Sequence, residues 1–112
     1  MPDATFWGRI SDHRGVPFRV LHSTKRSQVA VMTVAAGQEV GVPETHGADQ
    51  VILVLEGKAL ARVWSAGPER PPVERRLEQG GLLVVPAGLQ HWIKSEGPAD
   101  LAFFTVYTPP AY

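Results

Sequence analysis

The sequence contains no cysteine. Disulfides, thiolate nucleophiles and sulfur-ligated zinc or iron–sulfur centres are therefore excluded, and any metal must be held by nitrogen and oxygen atoms. Net charge is absent as well: eleven Lys and Arg balance eleven Asp and Glu, which leaves no electrostatic footprint for nucleic acid or an anionic membrane. Neither is an expected partner. No apolar run approaches the roughly 18 residues of a membrane span, and the opening stretch MPDATFWGRISDHRG has neither a basic nor an apolar leader region. The expectation is a soluble, cytoplasmic protein. Long segments of 3.6-residue period are missing too, so a helical bundle cannot be assembled.

What the chain has instead is punctuation. Eleven glycines and ten prolines cut it into short pieces rich in Val, Leu, Ile and aromatics, and such pieces, bounded by Gly, Pro, Asp or Ser, read as strands. The predicted strands are 18–21, 28–35, 51–55, 59–64, 73–77, 82–85, 91–94 and 101–107. With 112 residues, 44% of them hydrophobic, the chain holds enough for one core and too little for two. Residues 1–112 are expected to form a single all-β domain, a sandwich or barrel. The stretch SAGPERPPVERR from Ser65 reads as a hairpin connection whose second half is an edge strand guarded by arginines.

The chemistry gathers in two places. In GVPETHGADQVILVLEG, residues 41–57, a glutamate, a histidine and a glutamine stand directly before a run of strand formers. Side chains alternate faces along an extended chain, so Glu44 and His46 point the same way wherever the chain is extended and can share one metal ion. After a short turn through Gly47 and Ala48, Gln50 opens the next strand, with Ile52 and Val54 on its face. A polar side chain at the mouth of an apolar strand needs a partner, since leaving it buried and unpaired costs roughly 1–3 kcal/mol. A metal ion can be that partner. In GGLLVVPAGLQHWIKS, residues 80–95, an apolar strand ends at Pro86, and His91 opens another after a turn through Ala87 and Gly88. The four side chains make a set of two nitrogens and two oxygens suited to Fe(II), Mn(II), Ni(II), Zn(II) or Co(II).

These segments resemble the two motifs of the cupin superfamily, commonly G-x5-H-x-H-x3–4-E-x6-G and G-x5-P-x-G-x2-H-x3-N. Gln50 is followed by six residues and Gly57, matching the E-x6-G half with Gln in place of Glu; counting back, His46 takes the second His position and Glu44 the first. Gly80, Pro86, Gly88 and His91 match the second motif in spacing, with Ser95 where it has Asn. The resemblance covers residues 28–107. It implies a double-stranded β-helix, the jelly-roll barrel of small single-domain cupins, with Glu44, His46, Gln50 and His91 around a divalent metal ion (Fe, Mn, Ni, Zn or Co) inside it. Glu for the first His and Gln for the Glu leave the charge of the ligand set unchanged.

Each of these residues also has a plainer role open to it. Glu44 can be a solvated loop carboxylate, His46 a loop histidine, Gln50 a hydrogen-bond partner for a neighbouring strand, and His91 a strand-end histidine beside Trp92. Tyr107 is the further residue expected to serve catalysis, by donating a proton or a hydrogen bond, with a packed strand-end tyrosine as its alternative. Arg62 faces out if Ala61 and Val63 face in. His13 and His22 fit neither motif and read as surface or turn residues. The expected cavity lining, Ile52 and Ile93 with either Met32 and Val34 or Val31 and Thr33, suits a small organic ligand with few polar handles. Both faces of 101–107 are largely apolar, so alternation does not say which one looks inward.

Stretches 51–55 and 82–85 are apolar at every position, so both faces of their sheet should be covered, one by the barrel interior and the other by a second copy of the chain. A homodimer is expected. The expected function is conversion of a small organic substrate at the metal, an oxidoreductase or isomerase of cupin type with dioxygenase-like or isomerase- and lyase-like chemistry. The alternative is a non-catalytic module that binds a small ligand. Fold alone does not choose between them.

Overall fold

A computed structural model describes residues 5–112. Residues 1–4, where the segment read for a leader and the expected 1–112 domain both begin, lie outside the described residues. Eight strands form where the sequence marks them, with ends displaced by at most two residues. They are β1 (Phe18–Ser23), β2 (Gln28–Val34), β3 (Asp49–Glu56), β4 (Ala59–Val63), β5 (Val73–Leu77), β6 (Leu82–Val85), β7 (His91–Ser95) and β8 (Leu101–Thr108). A 3-10 turn at Ile10–His13 precedes them, and no helix among the described residues is long and apolar enough to cross a membrane.

The strands build two antiparallel sheets, one in the order β1-β2-β8-β3-β6 and one in the order β5-β4-β7. Alternation then decides what lies between them. On β3 the buried positions are Gln50, Ile52 and Val54. Their partners across the ladder are Tyr107, Thr105 and Phe103, which settles the face of β8 that the sequence left open. Val34, Ile52, Val54, Leu101 and Phe103 from the larger sheet meet Ala59, Ala61 and Ile93 from the smaller one in a single core cluster, with Met32 packed against it. Each large aliphatic or aromatic side chain so buried contributes about 1.5–3 kcal/mol. Of the two lining alternatives, Met32 and Val34 are the pair that faces in. β5 is the edge strand expected from its arginines, exposed along most of its length. Arg62 faces out, as the small residues beside it require: its Nε is 2.9 Å from Glu74 and its guanidinium lies 4.6 Å from the centre of the Trp92 ring.

The core closes one end of this interior. There the β3–β4 turn passes through Gly57 at φ +84°, where a Cβ would stand 2.5 Å from the Asp100 carbonyl oxygen. Only glycine satisfies both conditions. The other end is a mouth. Toward it the segment 37–46, outside any named strand, runs beside β7 from Ser95 to His91 and is tied to it through the main chain. Gly37 N–H donates to the Ser95 carbonyl (2.9 Å), Val40 N–H to that of Ile93 (3.0 Å), and Glu44 and His91 exchange both of their backbone hydrogen bonds (2.8 and 2.9 Å). The chain at Glu44 is thus extended, which is the condition the spacing argument set.

The outward face of β3 and β6 is open in the single chain. Leu82 and Val84 are 60% and 55% exposed, and Val51 and Leu53, paired with them, are half-buried.

Candidate metal centre

The exchange of backbone hydrogen bonds between Glu44 and His91 puts their side chains on one side of the local ladder, and His46, two residues on, shares that side. The turn that precedes β7 holds this arrangement from below: Gly88 N–H donates to the His46 carbonyl (2.8 Å) and Ala87 N–H to Asp49 Oδ1 (2.8 Å). The two sequence motifs are thereby stitched together through the main chain. Glu44, His46 and His91 offer one ligand atom each, all within 4.8 Å of one another, and Glu44 Oε2 is 3.2 Å from His46 Nε2.

His91 is buried, and its Nδ1 lies 3.1 Å from the Leu89 carbonyl oxygen. A carbonyl only accepts, so Nδ1 carries the proton and Nε2 presents its lone pair. Burial lowers the pKa of this imidazole, more than its hydrogen bond to Leu89 raises it, and the ring stays neutral as a metal ligand must.

Gln50 completes the wall. It lines the same cavity as Glu44 and His91, and its Nε2 donates to Thr105 Oγ1 (3.0 Å) and to the Tyr107 hydroxyl (3.3 Å). With the amino group so occupied, Oε1 is buried without a hydrogen-bond partner. Leaving such an acceptor unpaired costs roughly 1–3 kcal/mol. It stands in the same cavity as a carboxylate and a neutral imidazole, and an array of acceptors of this kind is satisfied by a cation. The residues present therefore fit a divalent metal ion. All four residues marked in the sequence come together here. His13 and His22 do not: they pack against Phe6, with ring centroids 5.9 and 6.2 Å away.

Tyr107 is buried against this site, and burial pushes its pKa up to about 12. Two residues that sequence reasoning missed also belong to it. The Tyr112 hydroxyl donates to Glu44 Oε2 (3.0 Å), and its ring closes an aromatic group with His46, Tyr107 and Phe18 at centroid distances of 5.5, 5.4 and 5.0 Å. Gln28, buried at the start of β2, holds the Tyr112 main chain. Its Oε1 accepts from Tyr112 N–H (3.0 Å) and Ala111 N–H (3.3 Å), while its Nε2 donates to the Tyr112 carbonyl (2.6 Å) and Ser23 Oγ (2.9 Å). The one signal in the sequence was a glutamine opening an apolar strand, the feature that singled out Gln50.

A family profile described as Cupin matches residues 19–112. The chain belongs to the cupin family. Its similarity to the uncharacterised protein YrkC of Bacillus subtilis is 24% identity over 90 residues, 80% of this chain and 48% of YrkC, so this cupin spans about half the length of that curated relative. Among solved structures, BH2720 from Bacillus halodurans superposes with a TM-score of 0.86 at 24% identity, covering 96% of this chain and 83% of the other. An RmlC-like cupin family protein with a double-stranded β-helix fold from Methanocaldococcus jannaschii gives 0.73 at 16% identity, with 97% and 93% covered. Likeness at these identities carries the jelly-roll fold; the chemistry rests on the site itself.

Proposed function

We propose that this cupin binds one divalent metal ion through Glu44, His46, Gln50 and His91 and converts a small organic ligand in the adjoining cavity. The observation that carries this reading is the buried, unpartnered Gln50 Oε1 in a cavity shared with Glu44 and His91. When bound, such an ion supplies a Lewis acid for an oxygen of the ligand or, as Fe or Mn, a redox centre. Glu44 brings the one negative charge of the set, His91 and His46 bring imidazole nitrogen, and Gln50 brings a neutral oxygen held in aim by Thr105 and Tyr107. Tyr107 keeps its proton at ordinary pH and offers it as a hydrogen bond to a ligand oxygen; it serves as a donor and not as a base. The titratable side chains lining the cavity are Glu44, His91, Tyr107 and Tyr112, so no separate acid–base pair stands apart from the cluster. That scarcity favours oxidoreductase or isomerase–lyase chemistry centred on the ion. The same scarcity suits a non-catalytic ligand-binding module, and turnover screening of the loaded protein separates the two.

The test is elemental analysis of untagged protein beside folded Glu44→Ala and His91→Ala variants. Near-stoichiometric metal in the parent, lost in both variants, is the expected result. A parent that takes up none of Fe, Mn, Ni, Co or Zn sinks the reading. A homodimer through the outer face of β3 and β6 belongs to the same proposal, supported by the exposed Leu82 and Val84. Sedimentation velocity on these preparations reads it, and a monomer throughout the micromolar range removes it.

A further inference from the structure

The cavity behind the mouth measures about 60 Å³. At about 30 Å³ per water molecule in the liquid it has room for roughly two waters, whereas pockets for organic ligands begin near 300 Å³. Something at the mouth must therefore move before an organic ligand enters. Most of the wall is strand, and the segment 37–46 is tied to β7 by its main chain. Tyr112 differs. Its segment follows β8, and among the described residues its hydrogen bonds to the barrel are those to the Gln28 amide and to Glu44. The residue is 59% exposed, and swinging it outward breaks a definite set of contacts: the hydrogen bonds to Gln28 and Glu44 and the ring contacts with Phe18, His46 and Tyr107.

The place it would vacate has a definite chemistry. The phenol ring has Phe18, His46 and Tyr107 around it, and its hydroxyl donates to a carboxylate of the candidate metal centre. Aromatic neighbours at 5.0–5.5 Å favour another ring through offset and edge contacts. A carboxylate acceptor at the end of such a slot selects an O–H over an ether, because only the O–H makes a charge-assisted hydrogen bond.

We propose that the seat of Tyr112 is the ligand-binding subsite of this cupin, that the class of ligand it takes is a single-ring phenol, and that Tyr112 is an intramolecular placeholder latched by Gln28. This rests on the reading of Glu44, His46, Gln50 and His91 as the functional site. A phenol in this seat has its hydroxyl oxygen next to the cluster and its ring on the aromatic floor. Gln28 acts as a positioning residue, setting how readily the placeholder yields.

The test is calorimetric titration of metal-free protein with 4-methylphenol and with its methyl ether, which has the same ring and no proton to donate. The parent is expected to bind 4-methylphenol weakly. Gln28→Ala, which frees the segment without removing the ring, should bind it at least fivefold more tightly, and Tyr112→Ala at least tenfold more tightly. In Tyr112→Ala the methyl ether should bind at least tenfold more weakly than the phenol, and adding Glu44→Gln should reduce that preference to less than threefold. Equal binding of phenol and ether by Tyr112→Ala would mean an apolar hole only and overturns the proposal, as does failure of either ligand to bind that variant. A folded Gln28→Ala protein with parental affinity overturns the latch. If Gln28→Ala does not fold, the Tyr112→Ala comparison decides alone. Because no metal is present in these titrations, a failed elemental analysis leaves them readable, and a metal-replete protein without phenol preference removes this inference while leaving the metal site standing.

Discussion

The same strands build two different ends of one interior. β3 contributes Val54 to the closed end and Gln50 to the mouth, and β8 contributes Leu101 to the one and Tyr107 to the other, with Phe103 reaching both the core and the cavity. At the closed end the side chains are apolar apart from the fully buried Ser95, which pairs with Ala59, and the turn there leaves no room for a methyl group at Gly57. At the mouth, buried polar groups satisfy one another only in part, and Gln50 Oε1 is left over. Among the described residues each end leaves a buried polar atom unpaired, the Ser95 hydroxyl at the closed end and Gln50 Oε1 at the mouth, and each such atom lowers stability. The difference lies in what stands beside it: apolar side chains of the core at one end, and a carboxylate and an imidazole sharing its cavity at the other.

Breaking the closed end should have the largest effect. Leu101→Ala removes a side chain that is 0% exposed, and deletions of this kind cost about 2–5 kcal/mol; urea unfolding measures it, and a loss under 1 kcal/mol would put Leu101 outside the core. At the mouth, Gln50→Leu removes two donated hydrogen bonds together with one unpaired acceptor. These offset each other, so stability should stay within about 1 kcal/mol of the parent, while affinity for added Zn or Co falls at least tenfold. A large loss of stability with unchanged metal affinity would mean that Gln50 belongs to the core and not to the site.

The smallest effect is a difference in pH dependence. The pKa of His91 is lowered by burial, so between its folded value and the ordinary 6.5 the unfolded chain binds more protons than the folded one. The stability His91 contributes is therefore fully present above that ordinary value and is lost as the pH falls below it. His91→Gln should flatten this acid limb in metal-free protein. The core cluster at the closed end contains no titratable residue, and Leu101 is not among the residues lining the cavity with His91, so the cost of Leu101→Ala should be the same at pH 5 and pH 7.5. An acid limb that survives His91→Gln intact would assign the dependence elsewhere.

Much of this was legible because β-structure writes a short period. Glu44, His46 and Gln50 could be placed on shared faces by counting in twos, and Gly57 and Gly88 mark turns that need positive φ. The face of β8 was not legible, since Leu101, Ala102 and Phe103 are all buried and alternation carries no contrast there. Thr105 was the residue that could have decided it: a hydroxyl in the middle of an apolar strand, paired in the fold with Gln50. Gln28 and Tyr112 were beyond counting altogether. Their hydrogen bonds join positions 84 residues apart, and neither end has a local pattern that names the other.

The segment 37–46 has a bearing on how this protein can change over time. It carries Glu44 and His46, yet it is fastened to β7 through main-chain groups and to the preceding turn through the His46 carbonyl. A substitution at either position leaves those bonds available to almost any residue. The side-chain donors gathered at the mouth can thus be exchanged one at a time by ordinary mutation while the scaffold is inherited unaltered, so a barrel of this kind can acquire a different set of donor atoms without refolding.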